Sequence, residues 1–351
     1  MAKIDDLTLE VGRVYAQAER DIIQRIANRL KKDKTLSIEQ WEIRKLRELQ
    51  TLRSGIEKQI VAKLDNYNEK ELRPIIEEIY NQGSKDATAD LRKVYNINEI
   101  TTDFGRIDEA TVANYVKALK GNLDSTHLRM LRQTEDVYRQ AVSRGVETVL
   151  TGSGTRVEGA QRVLNDFANK GVTGFVDKSG RSWSLRTYAE MATRTTSARA
   201  RIDGTLNRFQ QNGEDLVVVS AHAESCPICD PWEGRILSIS GRSEEYPSVS
   251  EAEAANLWHA NCTHNATLWV EGLTTKPKPV DSTDNYKERQ QQRYLERGVR
   301  KWKRREVAAM TDDEAKKAKS YIRKWQGKLR EFTDETDRYR KYERESIKTA
   351  R

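Results

Sequence analysis

Three cysteines and three of the four histidines fall between positions 222 and 264: His222, Cys226, Cys229, His259, Cys262 and His264. Cys226-Pro-Ile-Cys229 has the spacing of a metal knuckle, in which two thiolates turn toward one ion. After 29 intervening residues, His259-Ala-Asn-Cys262 offers an imidazole and a third thiolate. Borderline-soft zinc suits such a mixed set, and four tetrahedral ligands complete a structural site. The expected ligands are Cys226, Cys229, His259 and Cys262, with His222 and His264 as alternates or outer partners. The alternative is a metal-free cluster of packed, reduced cysteines. An odd number of clustered cysteines excludes a disulfide scaffold and fits assembly in a reducing compartment.

Catalytic readings of the same residues fare worse. His222-Ala-Glu224 before Cys226-Pro-Ile-Cys229 resembles a zinc deaminase pattern, but there the two motifs open separate helices. Here only Ser225 separates them, too little chain to pass between helices. His259, Asn261 and His264 suggest a metal-dependent nuclease, whose base and ligands are however spread over a hairpin and a helix, not one short loop. The glycines from Gly152 to Gly180 lack the Gly-Lys-Ser/Thr or G-x-G-x-x-G context of a phosphate loop and read as turn residues. His127, near Leu128 and Leu131 on a helix, reads as a packed or exposed side chain, and the tryptophans near the cluster (Trp232, Trp258, Trp269) as core and interface anchors.

The elements that position the cluster are mostly helices. Val11, Tyr15, Ala18, Ile22, Ile26 and Leu30, then Leu49, Leu52, Ile56, Ile60 and Leu64, recur at three- and four-residue steps, as in two amphipathic helices forming a hairpin. Pro74 is expected near the start of the next helix, where its missing amide costs little. Another helix is expected from about Glu109 to Leu150. Thr151-Gly-Ser-Gly-Thr155 breaks it, and Thr155 with Glu158 makes a capping box for its successor. Gly174 to Trp183 reads as a hairpin turning at Lys178-Ser-Gly, and Ser184 as a helix cap. Leu216-Val-Val-Val-Ser220 is the convincing buried strand and leads straight into the cysteines. Lys276-Pro-Lys-Pro279 is a linker to a helical tail. The expected fold class is mainly α with a small α+β module, zinc-stapled and flanked by extended helical arms. Its segments are 1–150, a helical docking region; 151–275, the module; and 276–351, the tail.

With 36% hydrophobic and 33% charged residues, the chain has little apolar material for one compact core, which favours a helix-rich, assembly-dependent protein. No window approaches a membrane span, and the opening MAKIDDLTLEVG lacks a basic segment followed by an apolar one, so neither membrane insertion nor a secretory leader is expected. Of the formal net charge of +8, residues 274–351 carry 24 Lys/Arg against 14 Asp/Glu, a local +10. That excess could attract phosphate or an acidic protein surface, and Arg300, Lys301, Lys303, Arg304 and Arg305 are the candidate DNA contacts. A solvated helical face is the plainer alternative.

Several stretches together resemble the phage minor capsid (minor head) protein family, related to the Mu-type head-morphogenesis proteins. They are Phe167 to Met191 with Arg194-Thr-Thr196, Asp215 to His222, Cys226-Pro-Ile-Cys229, Pro231-Trp-Glu-Gly234, His259-Ala-Asn-Cys-Thr-His264, Glu296 to Arg305 and Trp325-Gln326. The resemblance runs from roughly Thr134 to Arg351. It implies a tailed-phage virion protein of the head, made in the host cytoplasm, present in few copies, and docked to the portal protein or the major capsid protein. Packaged double-stranded DNA is a further expected contact. Relatives sometimes carry toxin domains after the cysteine module; here the basic helical tail stands in that place. A non-enzymatic structural role is therefore expected, with a nuclease or cargo enzyme delivered with the genome as the rival.

Overall fold

A computed structural model describes residues 2–33, 35–96, 108–172, 182–279 and 283–348. The fold is mainly α with a small α+β module. Helix α1 (Ala2–Leu30) buries the whole stripe from Val11 to Leu30 that its periodicity marks, and α2 (Ile38–Ile56) starts at a Ser37–Gln40 capping box and buries Trp41, Leu49, Leu52 and Ile56. The two form the expected hairpin, with Arg29 Nη1 3.9 Å from Glu48 Oε2 and the buried Lys45 ammonium 2.6 Å from Asp33 Oδ2 in the turn. Asp33 takes φ +65°, a left-handed conformation that a short polar side chain tolerates. A π-helical turn (Glu57–Val61) leads directly into α3 (Ala62–Tyr95).

Pro74 corrects the sequence expectation: it lies well inside α3, not near a helix start. An interior proline costs about 3 kcal/mol. It is exposed here, so solvent can reach the carbonyl deprived of its partner, while Leu72, Ile75, Ile76 and Ile79 around it are buried and supply the opposing gain.

Helix α4 (Glu109–Leu150) has the expected bounds, and the Thr155–Glu158 capping box opens α5 (Arg156–Lys170). Ser184 Oγ accepts from the Thr187 amide at 3.2 Å and opens α6 (Leu185–Gln211). The hairpin expected from Gly174 to Trp183 lies almost entirely outside the described residues. Strands β1 (Leu216–Val219), β2 (Ile236–Ser238) and β3 (Ala266–Leu268) form an antiparallel sheet in the order β2-β1-β3, with Val217 opposite both Leu237 and Leu268. A short helix α7 (Val249–Ala254) lies between β2 and β3, and α8 (Thr283–Ala308) and α9 (Asp312–Glu335) follow the proline linker.

Contacts gather the described residues into two units. One draws on Met1–Thr8, Glu69–Gly121 and Met191–Gln290, the other on Leu9–Asn68, Asn122–Glu190 and Gln291–Arg351. Each takes residues from all three segments that the sequence divides at 150 and 275, because α1, α3, α4, α6 and α8 each contribute to both. In the first unit a sheet of three- and four-residue strands is too small to bury a core alone. Phe209, Ile202 and Leu206 of α6 and Ala87 and Leu91 of α3 complete it, packed with Val217, Val219, Leu237, Trp258, Cys229 and Cys262. Two glycines let α3 and α6 approach: a Cβ on Gly83 would stand 2.0 Å from the Arg201 carbonyl oxygen, and one on Gly204 2.2 Å from that of Tyr80. That close approach fixes where α6 hands the chain to β1. Among the described residues, no helix is long and apolar enough to cross a membrane.

Candidate metal centre

Both sequence pairs sit in tight turns at the ends of sheet strands. Leaving β1, the chain folds Cys226-Pro-Ile-Cys229 into a knuckle, where the Cys226 carbonyl accepts from the amides of Cys229 at 3.0 Å and Asp230 at 2.9 Å. A 3-10 turn (Asp230–Trp232) and Gly234 at φ +70° return it to β2, with the Gly234 amide donating to the Val219 carbonyl at 3.0 Å. The second pair arrives after α7, through Asn256, Trp258 and Asn261, all with φ between +56° and +69°. Left-handed backbone is costly for a residue as bulky as Trp258, and its burial in the core offsets the cost. The Cys262 amide then donates to the His259 carbonyl at 2.9 Å, a turn like the first.

The structure brings the four expected ligands near one another in pairs, without all four donor atoms lying within 4.8 Å of each other. Cys226 Sγ is 3.0 Å from His259 Nε2, and Cys229 Sγ is 3.5 Å from Cys262 Sγ. His264 joins them, its Nδ1 3.4 Å from Cys262 Sγ. Donor atoms lie within 4.8 Å of one another in three trios of this cluster, Cys226–Cys229–His259, Cys229–Cys262–His264 and His222–Glu233–His264, and Cys229 belongs to both trios that carry thiols. Tetrahedral bonds of about 2.0–2.3 Å to nitrogen and sulfur put ligand atoms about 3.3–3.8 Å apart, so small inward adjustments would close either trio on one zinc ion.

The histidines are held from behind. His259 Nδ1 lies 2.8 Å from the Ala260 carbonyl oxygen, which orients Nε2 toward Cys226. His264 Nε2 lies 2.8 Å from Oε1 of Glu233, whose side chain is fully buried and also accepts from the His222 amide at 3.1 Å. Sequence reasoning saw Glu233 only as part of a turn; its role appears once that turn brings it beneath His264. His222 takes a different place. Its Nδ1 accepts from the Glu224 amide at 3.2 Å, its Nε2 lies 2.8 Å from Thr263 Oγ1, and its ring lies 4.2 Å from that of His264. With both nitrogens engaged, it braces the cluster from outside the thiols.

Electrostatics divides the thiols. The Cys229 thiol beside Cys226 holds the Cys226 pKa well down, with His259 adding to the effect; the Cys229 thiol likewise lowers Cys262, helped by His264. Cys229, hydrogen-bonded to both, is pushed up. The Cys226 hydrogen bond raises His259. For His264, burial opposes the charged ring, but Cys262 and Glu233 outweigh it and the pKa rises. Thiolate ligands and neutral imidazoles are what a metal binds, so metal binding here would release protons. Glu224, Asn261, Tyr286 and Arg289 join the cluster in lining a surface cavity, Glu224 ion-paired with Arg289 at 3.4 Å.

In the second unit, His127 is buried, 2.9 Å from Asp65 Oδ1 and 3.0 Å from the Tyr15 hydroxyl. The candidate DNA contacts are placed against expectation. Arg300 and Arg304 are each 6% exposed. Arg300 donates to the Arg344 carbonyl, and Arg304 donates to the Ala168 carbonyl at 2.8 Å and lies 3.6 Å from Glu19 Oε2. Lys303 donates to the Glu345 carbonyl at 2.9 Å; Arg305 donates to Asn165 Oδ1 at 3.3 Å and lies over the Trp302 ring. Lys301 is half-buried. Burial pulls the Arg300 pKa down to about 9, with Arg186 adding to the effect. Arg300 and Arg304 are interior struts, because a guanidinium with five donors can satisfy carbonyls that helix ends leave open, while Lys301, Lys303 and Arg305 stay partly exposed.

A mainly helical chain with a small sheet module built around cysteine and histidine turns is the class that fold and site define. The sequence profile of the family "Phage minor capsid protein 2" matches residues 2–334, and the chain belongs to that family. It is 28% identical over 284 residues to a structural protein of Lactococcus phage LL-H, covering 75% of this chain and 76% of the relative. It is also 38% identical over 115 residues to a structural protein of Lactococcus phage mv4, covering 29% of this chain and 93% of that relative. No solved structure matches it.

Proposed function

We propose that this phage structural protein works by docking, without catalysis, inside the head at the portal or the major capsid protein, and that its module is stapled by one structural zinc ion. One observation carries the reading: Cys226, Cys229, Cys262, His259 and His264 converge in two trios that share Cys229. Five protein donors for four positions favour a closed site, whereas catalytic zinc keeps a position open for water or substrate. Cys226, Cys229, Cys262 and His259 form the ligand set, and His264, held between Cys262 and Glu233, orients and neutralises it from the next layer. Bound zinc would supply folding energy directly, tying the base of the long excursion between β1 and β3.

The test has two parts. Full-length protein purified without added zinc is expected to hold about one equivalent, and purified particles are expected to contain the chain at a fixed copy number. Metal-dependent DNA cleavage that His264→Ala abolishes with the fold intact would hand the site to the nuclease reading.

A further inference from the structure

With Arg300 and Arg304 of α8 buried, a more exposed cationic face must be sought where this unit could meet a polyanion. Between Glu314 and Glu331, α9 carries no acidic residue and seven cations: Lys316, Lys317, Lys319, Arg323, Lys324, Lys328 and Arg330. All seven are exposed, while Ala318, Leu329 and Thr333 on the opposite face are buried. At about 100° per residue, these cations sort into two flanks. Lys319, Arg323 and Arg330 line one; Lys317, Lys324 and Lys328 line the other. Between them runs a crest of Lys316, Ser320 and Gly327, and a Cβ on Gly327 would meet nothing within 4 Å, so packing within the chain does not call for glycine there. The acids nearest the start of this face hold it loosely: Lys316 to Asp313, Lys317 to Glu314 and Lys319 to Glu306 span 3.9–4.0 Å, with the lysines 55–79% exposed.

We infer that this face of α9 is a sequence-indifferent surface for double-stranded DNA, its two cationic flanks meeting the phosphates on either side of a groove. Two rows of positive charge flanking a crest that carries Ser320 and Gly327 after Lys316, over about 21 Å of helix, match two phosphate rails, and the major groove is wide enough to admit a helix. An acidic protein surface would have no such paired geometry to match. Trp302, stacked on Tyr321 with centroids 4.0 Å apart, braces α9 against α8 at the edge of the face.

The surface rests on the structural reading above, and its test keeps the two apart. Full-length protein is titrated against a labelled random-sequence duplex at several salt concentrations, with the triple variant Lys319→Ala, Arg323→Ala, Arg330→Ala beside it and thermal melting to confirm folding. The wild type is expected to bind with a steep salt dependence, near 0.9 in log–log slope per phosphate contact, and the variant to lose about three contacts' worth of slope and at least tenfold in low-salt affinity. An unchanged slope in the folded variant overturns the proposal, as does wild-type protein that prefers polyglutamate to duplex. Particle content answers separately: absence of the wild-type chain from purified particles contradicts the structural reading whatever the salt slope.

Discussion

Two regions stand out in the sequence by density, the cysteine and histidine cluster from 222 to 264 and the basic run from Arg300 to Arg305, and the fold treats them oppositely. The first is drawn together until donor atoms stand 3.0–3.5 Å apart. The second is dispersed: Arg300 and Arg304 are buried, and Arg300, Lys303, Arg304 and Arg305 each take a different oxygen of the chain. The difference lies in how position is set. The cluster residues occupy turns at the ends of β1 and β3, so strand pairing itself brings them together. Charges on a helix point around its full circumference, and their spacing alone does not say which face is inward. Chemically specific ligands at turn spacing are therefore better evidence of a site than charge density, and α9 shows that a charged run becomes informative only once its buried face is known.

The sharpest way to break that contrast is Cys229→Ser, since both thiol-bearing trios pass through Cys229. Structural zinc in small modules is worth about 10–16 kcal/mol of apparent binding energy, so this substitution should release the metal and make residues 210–275 protease-sensitive within the full chain. Mass-spectrometric mapping of the cleavage sites checks it. Retained metal and protease resistance would mean that the thiols are a packed core.

In the other region, Arg304→Ala should cost about 3 kcal/mol, because it leaves the buried Glu19 carboxylate without its cation, held only by the amides of Val172 and Leu185. Thermal and urea unfolding measure the loss, and the low-salt DNA affinity of the folded variant should stay near the wild-type value. A mild stability effect with a large fall in DNA binding would return Arg304 to the surface role. Glu233→Gln is gentler: it keeps the size of the side chain and removes the charge behind His264, so zinc affinity should fall about 10–100-fold. Chelator competition reads it, and unaltered affinity would place His264 and Glu233 outside the metal's influence. The smallest effect is expected at Gly327→Ala, which should raise stability by about 1 kcal/mol through helix propensity, there being open space for the added methyl. A loss of stability there would mean the α9 face packs against something within the chain.

Much of this fold could be read from residue patterns with local causes. The Thr155–Glu158 capping box starts α5, the apolar steps of α1 are its buried stripe, and Leu216-Val-Val-Val is the central strand. The convergence of Cys226, Cys229, His259 and Cys262 was legible for the same reason, since each pair is a local turn. What escaped depends on distant partners. Pro74 continues a helix because apolar neighbours bury around it; Gly83 and Gly204 matter only where α3 meets α6; Glu233 acquires its partner 31 residues away. The buried arginines belong here too, as their carbonyl acceptors lie 44 and 136 residues off in sequence.

The proposal of a closed zinc site is tested most directly by metal analysis and zinc-edge X-ray absorption on the full chain purified without added metal. One equivalent with a first shell of three sulfurs at about 2.3 Å and one nitrogen at about 2.0 Å, with no exchangeable water, is the predicted result. Metal-free protein whose melting is indifferent to chelator, or a bound ion with an oxygen-rich, water-exchanging shell, would contradict it.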